Sequence, residues 1–364
     1  MAPIPYRFLR LLSVCLALAA IAVLHSPATA QGYTQTNIVS DVSGLAGTTD
    51  SNLKNPWGVS FSASSPFWVS DNGTGVSTLY SVSGTAATIV PLVVTIPPPM
   101  SLSEPSLPTG QVFNGTSDFQ ITSGNPAFFI FASLDGTISG WNPGVNVTNA
   151  VVKVDRSAHG AVYTGLAMAS IDGKNYLNAA DFGRNHIDIF DGNFHPVSFA
   201  TSTLHPFRDP DISTAYTPFN IQNIGGKLFV TYARHDFSSG FGLGFVDIFT
   251  AKGALLKRLE PGWWMDAPWG VAVAPSTFGE FANDILVGNF GADSGWIAAF
   301  HPKTGRFVGL VNDAFGFPII NEGLWALFFG NGGKGGDPNI LYFTAGIHGG
   351  SDGLLGSLQP ASGG

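Results

Sequence analysis

The chain has 364 residues, with 16 basic and 24 acidic side chains, a net charge of −8, 46 glycines, 24 prolines and one cysteine. An acidic chain with no basic run longer than two residues repels phosphate backbones and anionic lipid, so nucleic acid is not an expected partner. The single cysteine is Cys15, which leaves everything after it without disulfides, thiolate metal sites or cysteine nucleophiles.

Arg7 and Arg10 precede an apolar run from Leu11 to Leu24, followed by the small residues Ala28-Thr29-Ala30. That order is a secretory signal peptide, and its apolar run is shorter than the roughly 20 residues that span a bilayer. The expected organisation is a signal over residues 1–30, one domain over 31–360 and a short tail over 361–364. Cleavage near Ala30 gives a secreted or periplasmic product, with no membrane insertion and with 14 basic against 24 acidic side chains.

Beyond the signal, a strand opens at Thr36 (TNIVSDVSG), and then one phrase returns six times: a turn, a small residue, an apolar strand, a second apolar strand and a Gly/Asp/Asn turn. It reads NPWGVSF at Asn55, SDFQIT at Ser117, YTGLAMA at Tyr163, TPFNIQN at Thr217, APWGVAV at Ala267 and NEGLWALFF at Asn321. With Gly58, Phe119, Gly165, Asn220, Gly270 and Gly323 as equivalent points, the spacings are 61, 46, 55, 50 and 53 residues, the period of propeller blades. The sixth unit runs out after LLGSLQP at Leu354, one strand short. Pairing the strand at Thr36 with it removes the exposed edges that invite aggregation. The expected fold is all-β, a six-bladed β-propeller closed by its N-terminal strand, probed against a sandwich, which needs no six-fold repeat, and a solenoid, which leaves open ends.

Three connections are longer than tight turns: Ile96 to Thr116, Thr201 to Thr217 and Ala233 to Gly244. Long connections in compact domains carry function or lack order. In a propeller, blade-to-blade connections and second-to-third-strand turns emerge on one face, so all three are expected to crowd the face that also receives the turns at Asn72, Asp181, Asn289 and His348.

The phrases NPWGVSFSASSPFWVSDNGTGVSTLY, PTGQVFNGTSDF, PFNIQNIGGKLFVTY, APWGVAVAPSTFGEFANDILVGNFG and GLWALFFGNG resemble an uncharacterised family of secreted bacterial β-propeller proteins, some of which carry a PEP-CTERM sorting tail. The resemblance spans nearly the whole chain after the signal and implies an exported propeller without naming a reaction. The end of this chain, SLQPASGG, departs from the tailed members.

Two kinds of chemistry fit the shared face. Trp57 and Trp269, with Asn220, Asn72, Asp181 and Asn289 near them, offer aromatic faces and fixed amides able to stack on a ring and direct hydrogen bonds, although paired PWGV phrases also suit packing between blades. Arg234 and His235 with Asp236 form the most charged local cluster, and Arg184 and His348 fall on the same face. This favours a ligand- or protein-binding or scaffold module, monomeric, with a carbohydrate, peptide or exported protein as partner. The alternative is a divalent-metal-dependent hydrolase. The lactonase-type propellers that a six-bladed ring resembles carry a metal, commonly calcium, on the axis beside the strand-opening glycines. The positions before the six anchors are Trp57, Asp118, Thr164, Phe219, Trp269 and Glu322, so Glu322 and Asp118 are the metal candidates and calcium the candidate cofactor. No zinc-spaced histidine pair occurs, and no phosphate-binding glycine loop leads into a helix.

Overall fold

Runs of Val, Ile and Phe between Gly- and Asn-rich turns pair locally, because each antiparallel neighbour is only a tight turn away. The computed structural model describes residues 32–291 and 295–361, so the expected signal peptide and most of the expected tail lie outside the described residues. Six antiparallel sheets follow one another along the chain. Blades 1 to 5 begin with the inner strands Pro56–Ser60, Pro108–Phe113, Tyr163–Ile171, Tyr216–Ile224 and Pro268–Val273. Blade 6 takes Leu324–Phe329, Leu341–Ala345 and Leu354–Pro360 from the end of the chain and Tyr33–Ser40 from the start, paired antiparallel from Tyr33↔Pro360 to Ser40↔Leu354. The ring is therefore the expected six-bladed β-propeller, closed by its N-terminal strand.

One blade is built differently from expectation. The phrase SDFQIT is not an inner strand: Phe119 turns at φ 59 into a small hairpin, Gln120–Thr122 with Asn125–Pro126, and is fully buried against Phe194. The inner strand of blade 2 is instead PTGQVF, inside the segment read as a long connection, so the connection proper spans 96–107. Gly110 replaces Phe119 as the anchor, and in blade 6 the equivalent point is Ala326 rather than Gly323. The reason is steric. A Cβ on Gly58 would lie 2.5 Å from the Thr109 carbonyl, one on Gly110 2.3 Å from the Leu166 nitrogen, and one on Gly270 2.3 Å from the Trp325 carbonyl, so each glycine marks the closest approach of one inner strand to the next. The corrected spacings are 52, 55, 55, 50 and 56 residues, more even than the expected set.

Aromatic side chains fill the wedges between blades. Tyr163, Phe190 and Phe119 pack between blades 2 and 3, Phe67 and Tyr342 between blades 6 and 1, and Trp68, Phe129 and Trp141 between blades 1 and 2. The connection 201–217 does not lie wholly on the expected face. Phe207 is buried, its N–H donates to the Gly253 carbonyl in a third-to-fourth-strand turn at 2.8 Å, and Thr201 and Leu204 sit beside Asp172 and Lys252 on the opposite face.

A charge triad of two buried aspartates and a half-buried arginine fastens this connection. Arg258 pairs with Asp209 of the connection, and its Nε lies 3.2 Å from Asp247, which is fully buried with one oxygen lacking a partner. Burial and the neighbouring Asp209 push Asp247 up to about 7, against the pull of Arg258. An unfolded aspartate titrates near 4, so between about pH 4 and 7 the folded chain holds a proton that the unfolded chain has released. Stability contributed by this group is present below pH 4 and is lost as the pH rises through 7. Melting temperatures of the parent protein and of Asp247→Asn between pH 4 and 8 check this: the parent is expected to lose several degrees more than the variant, and parallel curves would contradict it.

Candidate functional site

In the six inner strands, the residues just before the equivalent points are Trp57, Thr109, Thr164, Phe219, Trp269 and Trp325. None is a carboxylate. Trp57 and Trp325 stack at 3.6 Å between ring centroids, Phe290 stacks on the other side of Trp325 at 4.1 Å, and Trp269 and Phe219 meet Trp325 edge-on or tilted at 5.7 and 5.9 Å. Aromatic rings at these distances combine large buried area with favourable edge and offset geometry. They close the axis with an apolar plug, leaving only about 50 Å³ of space among Gly58, Gly110, Asn220 and Leu327 below it.

Above the plug lies a bowl of about 490 Å³. Trp57, Phe219, Phe290 and Trp325 form its floor, and Leu134, Val162 and Phe182 its wall. Its rim carries few polar groups. Arg234 is engaged by Asp236 at 2.7 Å, and the Glu322 carboxylate accepts the N–H groups of His348 at 3.1 Å and Gly349 at 2.6 Å. Phe237, 80% exposed and held at φ 59, stacks on Phe182 at 5.0 Å where the second-to-third-strand loop of blade 4 leans over the lip.

The sequence candidates divide around this bowl. Trp57 and Arg234 line it, and His235 stacks on Phe182 at 5.7 Å just outside. Trp269 packs beneath the floor with its indole N–H donating to the Thr164 carbonyl at 3.1 Å, and Asn220 reaches across to the Trp269 carbonyl at 2.8 Å. Asn72 and Asn289 are buried and hold loop backbone: Asn72 donates to the Pro108 carbonyl and Asn289 accepts the Asp266 N–H. His348 is exposed, and its hydrogen bond with Asp352 raises its pKa. Glu322 stands on the rim, one turn before the ring position that Trp325 occupies. Asp118 lies on the opposite face, bonded to Asn175 at 2.8 Å, so the axial equivalence expected for these two acids does not hold. Alignment on glycine misplaced them. Aligning Trp325 with Trp57 and Trp269, and the Thr-Gly of PTGQVF with that of YTGLAM, would have found both correct positions.

Asp181 and Arg184 belong to a separate cluster on blade 3. Asp181, His186 and Asp188 form the one group of metal-ligating side chains among the described residues. The place of a cation there is taken by guanidinium groups: Arg184 lies 3.5 Å from both aspartates and Arg156 3.8 Å from Asp188. Burial raises Asp181. It would also raise Asp188, but hydrogen bonds from His186 and from Tyr163 at 2.7 Å bring that group below its usual range, and the same bond to Asp188 raises His186. The cluster thus ties the second-to-third-strand turn to the blade 2–3 connection.

No protein-family model matches the chain. Among solved structures, it is similar to a protein of unknown function from Bacteroides thetaiotaomicron, at TM-score 0.52 and 11% identity over 90% of this chain and 76% of that one. It is also similar to a streptogramin B lyase, at TM-score 0.50 and 12% identity over 91% and 99%. These likenesses concern the fold. In sequence it is 32% identical over 336 residues to an uncharacterised protein of Acanthamoeba polyphaga mimivirus, covering 88% of this chain and 84% of the relative. A second uncharacterised mimivirus protein is 31% identical over 336 residues, covering 88% and 78%. An uncharacterised family was expected. These relatives are viral, however, and give no support to the bacterial and secreted character that the resemblance implied, nor to the PEP-CTERM tail that some of the resembled proteins carry. The chain belongs to the family of these uncharacterised mimivirus proteins.

Proposed function

We propose that the protein is a ligand-binding propeller that holds the flat apolar part of a small molecule in the axial bowl, while the rim loops contact the remainder. The observation that carries this reading is a cavity of about 490 Å³ whose floor is made of four aromatic side chains. Concave, mostly apolar sites with a few fixed polar groups are where proteins bind small molecules. A carbohydrate fits less well, because its hydroxyl groups need more partners than the bowl's few uncommitted polar groups supply. The metal-dependent hydrolase reading lacks an acidic residue at every one of the six ring positions. We also take the protein to act outside the cytoplasm, on the strength of the charged, apolar and small-residue order of its first thirty residues.

The test is a titration with 2-acetylnaphthalene followed by tryptophan fluorescence, in the parent protein and in Leu134→Trp, which fills the bowl from its wall. One-to-one binding by the parent and its loss in a variant of unchanged melting temperature are expected. Undiminished binding by a folded variant would refute the site.

A further inference from the structure

A second cavity, of about 510 Å³, lies between blades 3 and 4, lined on one side by the connection that joins them, and shares no lining residue with the bowl. Part of its wall is apolar: Ile187, Phe207, Pro218 and Tyr232 are all buried and all line it. The charged and titratable side chains of the lining divide by whether they already have partners. Asp209 is paired with Arg258. His186 has both ring nitrogens engaged, one by the Arg184 carbonyl at 3.0 Å and the other by Asp188 at 2.9 Å. Arg208 and His205 remain. Both are exposed, both line the cavity, and neither side chain makes a hydrogen bond or ion pair among the described residues. Asp211, the other acid of the connection, does not line the cavity. In a chain with 24 acidic against 16 basic side chains, a cavity whose one acid is already matched and whose free groups are a guanidinium and an imidazole is a local reversal of charge.

We infer that this cavity is a second binding site, for a small organic carboxylate whose apolar body lies against Ile187, Phe207 and Tyr232 and whose carboxylate pairs with the Arg208 guanidinium. The planar fork of an arginine matches a carboxylate through two parallel N–H···O bonds, and both bonds are charge-assisted. A phosphate ester suits the cavity less well, because it carries nearly two charges and Arg208 is the one uncommitted lining group with a permanent charge. The inference does not depend on the reading of the bowl.

The experiment is a calorimetric titration with 2-naphthoate and with its neutral counterpart 2-naphthamide, on the full protein, on Arg208→Gln and on Leu134→Trp, which fills the bowl. The parent and Leu134→Trp are both expected to bind naphthoate about tenfold more tightly than naphthamide. Arg208→Gln is expected to lose that preference with an unchanged melting temperature, since the side chain it replaces is exposed and without a partner. Naphthoate binding that persists in Arg208→Gln and disappears in Leu134→Trp would put the anion in the bowl, overturning the inference and leaving the bowl as a binding site. Equal affinity of Leu134→Trp for the two probes, or no binding of naphthoate by the parent at its solubility limit, would also overturn it.

Discussion

A chain that begins at Asp50, without the strand Tyr33–Ser40, is expected to lose cooperative unfolding and to aggregate. That strand supplies the fourth member of blade 6 through a register of seven residue pairs, and its removal exposes the whole edge of Leu354–Pro360. It also removes Tyr33, Ile38 and Val39, all buried, and the hydrogen bond from the Tyr33 hydroxyl to the Phe278 carbonyl that joins blade 6 to blade 5. An open ring has two free sheet edges, and unpaired edges recruit other chains. Circular dichroism melts and size-exclusion chromatography measure the outcome. A sharp transition within a few degrees of the parent, in a monodisperse species, would show that the closing strand is dispensable.

Replacing Trp325 by alanine is expected to cost about 3–5 kcal/mol, the range for removing a large buried aromatic from a packed core. The ring is 2% exposed and touches Trp57, Trp269, Phe219 and Phe290, so its loss unseats the plug from several sides at once. The melting temperature should fall by on the order of 10 °C. Trp325→Phe keeps a ring in the stack and is expected to recover a large part of that loss. A fall of only a degree or two in the alanine variant would mean that the axis is not held by these aromatics.

The fold was legible because its signals are local and repeated. Glycine opened most inner strands for one steric reason, and the missing strand of the last blade had an obvious counterpart at Thr36. Blade 2 was misread because the hairpin at Phe119 interrupts the pattern with a second apolar phrase, while the true inner strand is flanked by the proline-rich stretch that precedes it. The site was legible only in part. Trp57 and Arg234 could be placed from the repeat, but Phe182, Phe237, Phe290 and Trp325 reach the bowl through blade geometry that links residues more than a hundred positions apart. Asn72, Asp181 and Asn289 looked like ligand groups and prove to be turn-fasteners, since a buried amide or carboxylate that bonds loop backbone has the same sequence appearance as one that bonds a ligand.

The central claim is that the aromatic bowl on the propeller axis is the binding site. Its most direct test is a 15N–1H correlation spectrum of the tryptophan indoles during titration with 2-acetylnaphthalene. The eight tryptophans sample different parts of the ring: Trp57 and Trp325 in the bowl, Trp68 and Trp141 between blades 1 and 2, and Trp263 exposed on the surface. Saturable shifts of the Trp57 and Trp325 resonances, with those of Trp68, Trp141 and Trp263 unmoved, are the predicted result. Shifts confined to Trp263, or absent from Trp57 and Trp325 at saturation, would contradict it.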